Sequence, residues 1–122
     1  MVKLLIIDDD LPTCDLLKEF LSEKDYQVFI ATTGEEGLSI LRKEKPHIIL
    51  LDIIMPGRSG IEVLKQIKAI DNKAKVIMLT AIEDEKVIKQ VKKHGASDYV
   101  IKPFSPSYLE KEVIPKILKQ LI

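Results

Sequence analysis

The stretch Ile48–Gly60, IILLDIIMPGRSG, runs four aliphatic residues into Asp52 and follows them with a Pro56-Gly57 turn. Four aliphatics in a row are too continuous for a half-solvated strand, so the run reads as a strand buried on both faces, with a carboxylate held at its end. An acid at a strand end is common enough as a turn former or helix cap to mean little alone. Three other apolar runs end the same way. LLII (Leu4 to Ile7) ends in Asp8, Asp9 and Asp10, KVIML (Lys75 to Leu79) in Thr80, and YVI (Tyr99 to Ile101) in Lys102. If the four runs lie parallel in one sheet, these endings meet at its C-terminal edge, where open α/β sheets bind ligands.

Composition bounds what such a site can serve. With 122 residues, 46% of them hydrophobic, residues 1–122 form one domain with a sizeable core. Nineteen basic residues balance nineteen acidic ones, so there is no broad positive field for phosphate backbones and direct nucleic-acid binding is not expected. Cys14 is the only cysteine, which excludes an internal disulfide and a thiolate metal cluster. It sits among apolar helical positions and should pack as a small hydrophobe. No apolar run reaches membrane-spanning length, and the four apolar residues before Asp8 are too few for the core of a signal peptide. A soluble, cytoplasmic protein is expected.

Strand-like runs alternate with helix-period segments five times, the pattern of a parallel sheet covered by helices. Pro12 opens a first helix with Leu16, Leu17, Phe20 and Leu21 on one face, and Gln27 to Ala31 forms a second strand without a polar ending, placed at the sheet edge. Thr33-Gly34-Glu35-Glu36 and Ser59-Gly60-Ile61-Glu62 read as capping boxes that start helices two and three. Leu38 and Leu41 bury helix two; Val63, Leu64, Ile67 and Ile70 bury helix three. His47, without a second histidine nearby, reads as a satisfied boundary residue. Helix four, from near Asp84 to Gly95, has only Val87, Ile88 and Val91 as an apolar stripe, with Lys92, Lys93 and His94 at its negative end. It should be the least firmly anchored helix. Ser105 and Pro106 open the last helix, buried by Leu109, Val113, Ile117 and Leu121, and Pro115 should kink it.

Carboxylates gathered at one edge repel, and such a cluster persists with a cation or with some groups protonated. Mg²⁺ suits it, since this ion takes oxygen ligands and keeps several waters when one or two carboxylates bind it. Lys102 adds a second positive charge, which lets Asp52 approach an anionic phosphorus as a nucleophile. Lys102 and the Thr80 hydroxyl are placed to take phosphoryl oxygens, and neutralising those oxygens carries most of the rate of phosphoryl transfer.

LLIIDDD, LLDIIMPGRSG, Leu79-Thr80-Ala81, Ala96-Ser97-Asp98-Tyr99 and Lys102-Pro103-Phe104 occur in the order and spacing of the response-regulator receiver domains of two-component signalling, and the chain resembles that family over nearly its whole length. The resemblance implies a flavodoxin-like (βα)5 fold, five parallel strands in the order 2-1-3-4-5, with a cis peptide between Lys102 and Pro103. It implies Asp52 as phosphoacceptor and Mg²⁺ held by Asp9, Asp52 and the backbone carbonyl of Ile54, with Asp8 acting largely through water. Thr80 and Lys102 then contact the phosphoryl group, Asp10 is peripheral, and Thr80 and Tyr99 form the switch that alters the helix four, strand five and helix five face. Partners implied are a sensor histidine kinase or phosphotransfer protein and a downstream effector or output domain; a homodimer through the same face is left open.

Ile54 and Ile82 stand two residues beyond Asp52 and Thr80, where members of this family often carry polar groups near the path of the attacking water. Two branched aliphatics there should exclude that water and slow loss of phosphate. Among other functions, Asp8-x-Asp10 after a strand also resembles the opening of haloacid-dehalogenase-type phosphohydrolases, but the downstream acidic pair of those enzymes is missing. A module that kept the fold without phosphorylation would be expected to have lost one of Asp8, Asp9, Asp52, Thr80 or Lys102. A transcription factor would need a recognition helix. The expectation is therefore a phosphoacceptor whose only activity is self-phosphorylation and self-dephosphorylation. An ending in a helix without a linker favours a stand-alone regulator over a receiver cut from a longer one.

Overall fold

Period-two alternation along buried strands sends neighbouring residues to opposite layers, and here both layers are apolar. Leu5, Ile7, Ile49, Leu51, Val76 and Met78 face one core, while Leu4, Ile6, Ile48, Leu50, Ile77 and Leu79 face the other. The computed structural model describes residues 1–121. Its strands are β1 (Val2–Ile7), β2 (Tyr26–Ala31), β3 (Ile48–Leu51), β4 (Lys75–Thr80) and β5 (Asp98–Ile101). All pair in parallel, in the order β2-β1-β3-β4-β5, with β2 at the edge as the sequence suggested. Helices α1 (Leu11–Ser22), α2 (Gly34–Glu44), α3 (Gly60–Ile70) and α4 (Glu85–Lys93) follow the first four strands. The first core takes Leu38 and Leu41 of α2, Val63, Leu64 and Ile67 of α3 and Val91 of α4; the second takes α1 and the last helix.

Several local expectations shift by one position. In α1 the buried stripe is Cys14, Leu17 and Leu21, spaced for one helix face, whereas Leu16 is exposed and Phe20 only partly covered. Ile70 and Leu121, at the ends of their helices, likewise lie outside the core. Thr33 caps α2 through the Glu36 amide, but the Glu36 carboxylate reaches back to the Thr32 amide rather than that of Thr33. Ser59 caps α3 through the Ile61 amide, with Glu62 turned to solvent, so this start is a single cap and not a reciprocal box.

Pro115 acts differently from a simple kink. The last helix begins as an α turn (Pro106–Tyr108), widens into a π segment (Leu109–Val113) and returns to α-helix (Ile114–Leu118) with Pro115 in the first turn of that new segment, where a missing amide costs least. The wide turn sets Val113 and Ile114 side by side on the buried face with Leu109 and Ile117. In α4 only Val91 is fully buried, and Val87 and Ile88 are partly covered, which agrees with a thin anchor.

Candidate functional site

Sheet hydrogen bonding continues past the strand ends and places the polar residues one by one. The Asp8 amide donates to the Ala31 carbonyl (3.0 Å), the Asp52 amide to that of Ile7 (3.0 Å) and the Lys102 amide to that of Thr80 (2.9 Å). Each candidate is thus the next rung of a ladder and not a free loop residue. Asp8, Asp52 and Thr80 are the buried polar side chains of the described residues, at 3%, 7% and 0% exposure, which makes their partners decisive.

Lys102 is the hub. Its Nζ donates to Asp8 Oδ2 at 2.7 Å and to Asp52 Oδ2 at 3.2 Å. The remaining oxygens take backbone amides: Asp8 Oδ1 accepts from Asp10 N–H (3.0 Å) and Asp52 Oδ1 from Ile54 N–H (3.3 Å). Asp9 stands exposed beside them, and one carboxylate oxygen from each of Asp8, Asp9 and Asp52 lies within 4.8 Å of the others. Burial pushes the Asp8 carboxyl above its ordinary range despite the opposing hydrogen bond from Lys102. For Lys102 burial works downward, but the hydrogen bond to Asp8 and the charges of Asp52 and Asp8 outweigh it and hold the ammonium above its usual value. Two of the three carboxylates share one ammonium, leaving a hard, all-oxygen donor set with unbalanced negative charge. Such a set fits a divalent cation of the Mg²⁺ kind.

Around this cluster, Thr80 Oγ1 lies 3.5 Å from the Ile82 amide, and the Tyr99 hydroxyl donates to the Ile82 carbonyl at 2.6 Å. The Tyr99 ring is half-buried and packs on the first core. Ile54 points to solvent, 60% exposed, whereas Ile82 is partly covered against the first core. His47 accepts the Lys3 amide on Nδ1, the satisfied boundary role expected of it. The Lys102–Pro103 peptide is cis. Beside Lys102 a largely apolar cleft of about 380 Å³ opens between α1 and the start of the last helix, lined by Leu16, Leu17, Ala81, Pro103 and Phe104 among others.

Asp10 keeps its carboxylate outside the acidic cluster, where it accepts the Thr13 hydroxyl at 2.6 Å, while its backbone amide donates to Asp8 Oδ1. The Asp8-x-Asp10 spacing was the signal for that turn. Arg58 pairs with Glu35, 23 positions earlier in the chain, at 3.0 Å and with Gln66 at 2.7 Å, a bridge that no local pattern announces.

Fold and site define a flavodoxin-like α/β domain with a lysine-bridged acidic pocket at the C-terminal edge of its sheet. A family model described as the response regulator receiver domain matches residues 4–114, and the chain belongs to that family. It is 41% identical over 102 residues to the sporulation initiation phosphotransferase F of Bacillus subtilis (strain 168), an alignment covering 84% of this chain and 82% of that protein. The crystal structure of a CheY-like response regulator receiver domain protein from Methanospirillum hungatei JF-1 superposes with a TM-score of 0.93 at 31% identity, covering 98% of this chain and 96% of the other. A two-component response regulator from Clostridium difficile gives 0.94 at 30% identity, covering 99% and 98%. The protein is thus a receiver domain of phosphorylation-based two-component signalling, a class that is generally non-catalytic, interacts with kinases and output domains, and binds Mg²⁺ at an acidic pocket. Among the described residues no helix is long and apolar enough to cross a membrane.

Proposed function

We propose that Asp52 accepts a phosphoryl group from a phosphohistidine of a sensor kinase or phosphotransfer protein, or from a small acyl phosphate, in the cytoplasm. The observation that supports this best is the bridge from Lys102 to Asp8 and Asp52 at the edge of the parallel sheet. An Asp52 oxygen attacks phosphorus as the bond to the donor's nitrogen or oxygen breaks, and the leaving group departs with that bonding pair. The product is an acyl phosphate on Asp52. Lys102, already fixed by Asp8, is positioned to stay with the incoming oxygens as Asp52 turns toward phosphorus. Asp8, held at both oxygens, orients Lys102 and neighbouring water; Asp9, Asp52 and the Ile54 carbonyl would hold Mg²⁺. When bound, that ion supplies charge neutralisation at the phosphoryl oxygens.

The new dianion would draw the Thr80 hydroxyl toward it. Thr80 and Tyr99 both touch Ile82, one at its amide and the other at its carbonyl, so a shift of Thr80 moves the loop that Tyr99 grips. That loop leads into α4, whose anchor is the single fully buried Val91, and the α4, β5 and last-helix face would change for a downstream partner or a second copy.

Incubation with a small acyl phosphate, followed by intact mass, tests this reading. One added phosphoryl group is expected with Mg²⁺ and not without it, and none in Asp52→Asn. An unchanged mass for the wild type in Mg²⁺, or a phosphorylated Asp52→Asn, overturns it.

A further inference from the structure

The segment after Asp52 leaves the sheet and returns where the Gly60 amide donates to the Ile53 carbonyl at 2.8 Å. Between these points the chain has few ties. The Ile54 amide caps Asp52, but its side chain points to solvent; Met55 is buried; Pro56 is exposed, and a Cβ on Gly57 would meet nothing within 4 Å. Arg58 is what closes the far side. One guanidinium nitrogen, Nη1, donates to Gln66 Oε1 of α3 at 2.7 Å and the other, Nη2, lies 3.0 Å from Glu35 Oε1 of α2. Its stem runs across Gly34, where an added Cβ would stand 3.6 Å from Arg58 Cδ.

We propose that Arg58 is a positioning residue for the Asp52 site, a two-armed clamp that holds the Ile54–Ser59 loop against α2 and α3 and so fixes the peptide carrying the Ile54 amide and carbonyl beside Asp52. The inference rests on the phosphoacceptor reading above. The planar fork of arginine suits it, because both arms are reached at once without rearrangement; a lysine reaches only one. The pair with Glu35 is partly exposed, so its effect on global stability is small and its effect on loop order is the larger one.

Three variants, Arg58→Ala, Arg58→Glu and the swap Glu35→Arg/Arg58→Glu, separate the clamp from general stability. In metal-free protein, Arg58→Ala should exchange the Ile54–Ser59 amides several-fold faster while β1 and β3 amides are unchanged. With acyl phosphate at sub-saturating Mg²⁺, Arg58→Ala and Arg58→Glu should be phosphorylated about three- to tenfold more slowly, as expected for loss of an outer support of a metal-binding loop. The swap should recover much of the rate through the Glu35 arm. A wild type that is phosphorylated normally together with an Arg58→Ala rate within twofold of it, or loop exchange unaltered in that variant, overturns the clamp alone. A wild type that takes no phosphoryl group overturns the phosphoacceptor reading and the clamp's role with it.

Discussion

Replacing Gly60 by alanine probes how tightly the chain is closed behind Asp52. An added Cβ would lie 2.0 Å from the Asp52 carbonyl oxygen and 2.6 Å from Ile53 Cα, both backbone atoms that cannot swing aside. The loop must open by roughly an ångström, at an overpacking cost of about 1–3 kcal/mol. Weakening the Gly60–Ile53 hydrogen bond adds about 1 kcal/mol, and the better helix propensity of alanine returns at most about that much. A net loss of about 1–3 kcal/mol follows. With an unfolding entropy of about 2.1 cal/mol/K per residue, that lowers Tm by about 4–12 °C. Gly57→Ala is the companion: at φ +84° with open space around it, the substitution meets only left-handed backbone strain, about 1 kcal/mol, or about 4 °C. Thermal melts followed by circular dichroism, with urea midpoints as a check, measure both. A Gly60→Ala protein melting within about 2 °C of wild type, or a Gly57→Ala protein hurt more, would refute the steric reasoning.

Other outcomes follow from single contacts. Burial first, then Asp8 and neighbouring acids, push the Cys14 thiol up to about 12, so as pH rises past its unfolded value near 9 the unfolded chain ionises first and stability falls until the folded pKa is reached; Cys14→Ala should lose stability less steeply over this window in urea titrations at stepped pH, and parallel slopes would count against it. Tyr99→Phe keeps the ring but loses the 2.6 Å bond to Ile82, for an expected loss of about 1 kcal/mol in the same melts. Ile82→Glu, bringing a carboxylate near the phosphoryl group, should shorten the lifetime of phosphorylated Asp52, measured by mass decay; an unchanged lifetime would remove the water-exclusion argument.

Strand runs, their parallel order and the meeting of Asp8, Asp52, Thr80 and Lys102 were legible because each depends on strong local signals: continuous aliphatics, alternation with helical periods, and polar residues at strand ends. What could not be read depends on distance or on half a residue of phase. Whether Leu16 or Cys14 joins the α1 stripe turns on the rotation of a helix whose sequence carries apolar residues on both sides. The shape of the last helix depended on how the chain absorbs Pro115, and a π turn keeps the buried face intact where a kink would have broken it. Tyr99 was recognisable as a switch candidate, but the partner of its hydroxyl is a backbone carbonyl, and carbonyls leave no mark in a sequence.

Charge placement, more than charge total, carries the mechanism. The whole chain is neutral, yet its C-terminal sheet edge gathers three carboxylates around one ammonium, and two of those carboxylates are buried. Burial above all, with a lesser contribution from the Asp52 charge, holds the Asp8 carboxyl above its ordinary range even with the ammonium at 2.7 Å. A site built this way gains most from whatever resolves its charge, and any ligand of the folded state adds its binding free energy to stability. The adjoining β4–α4 loop leads into α4, in which Val91 is the one fully buried residue. Unrelieved charge and thin anchoring therefore share one edge of the sheet. A change of charge at Asp52 would be felt first in the part of the fold that costs least to move.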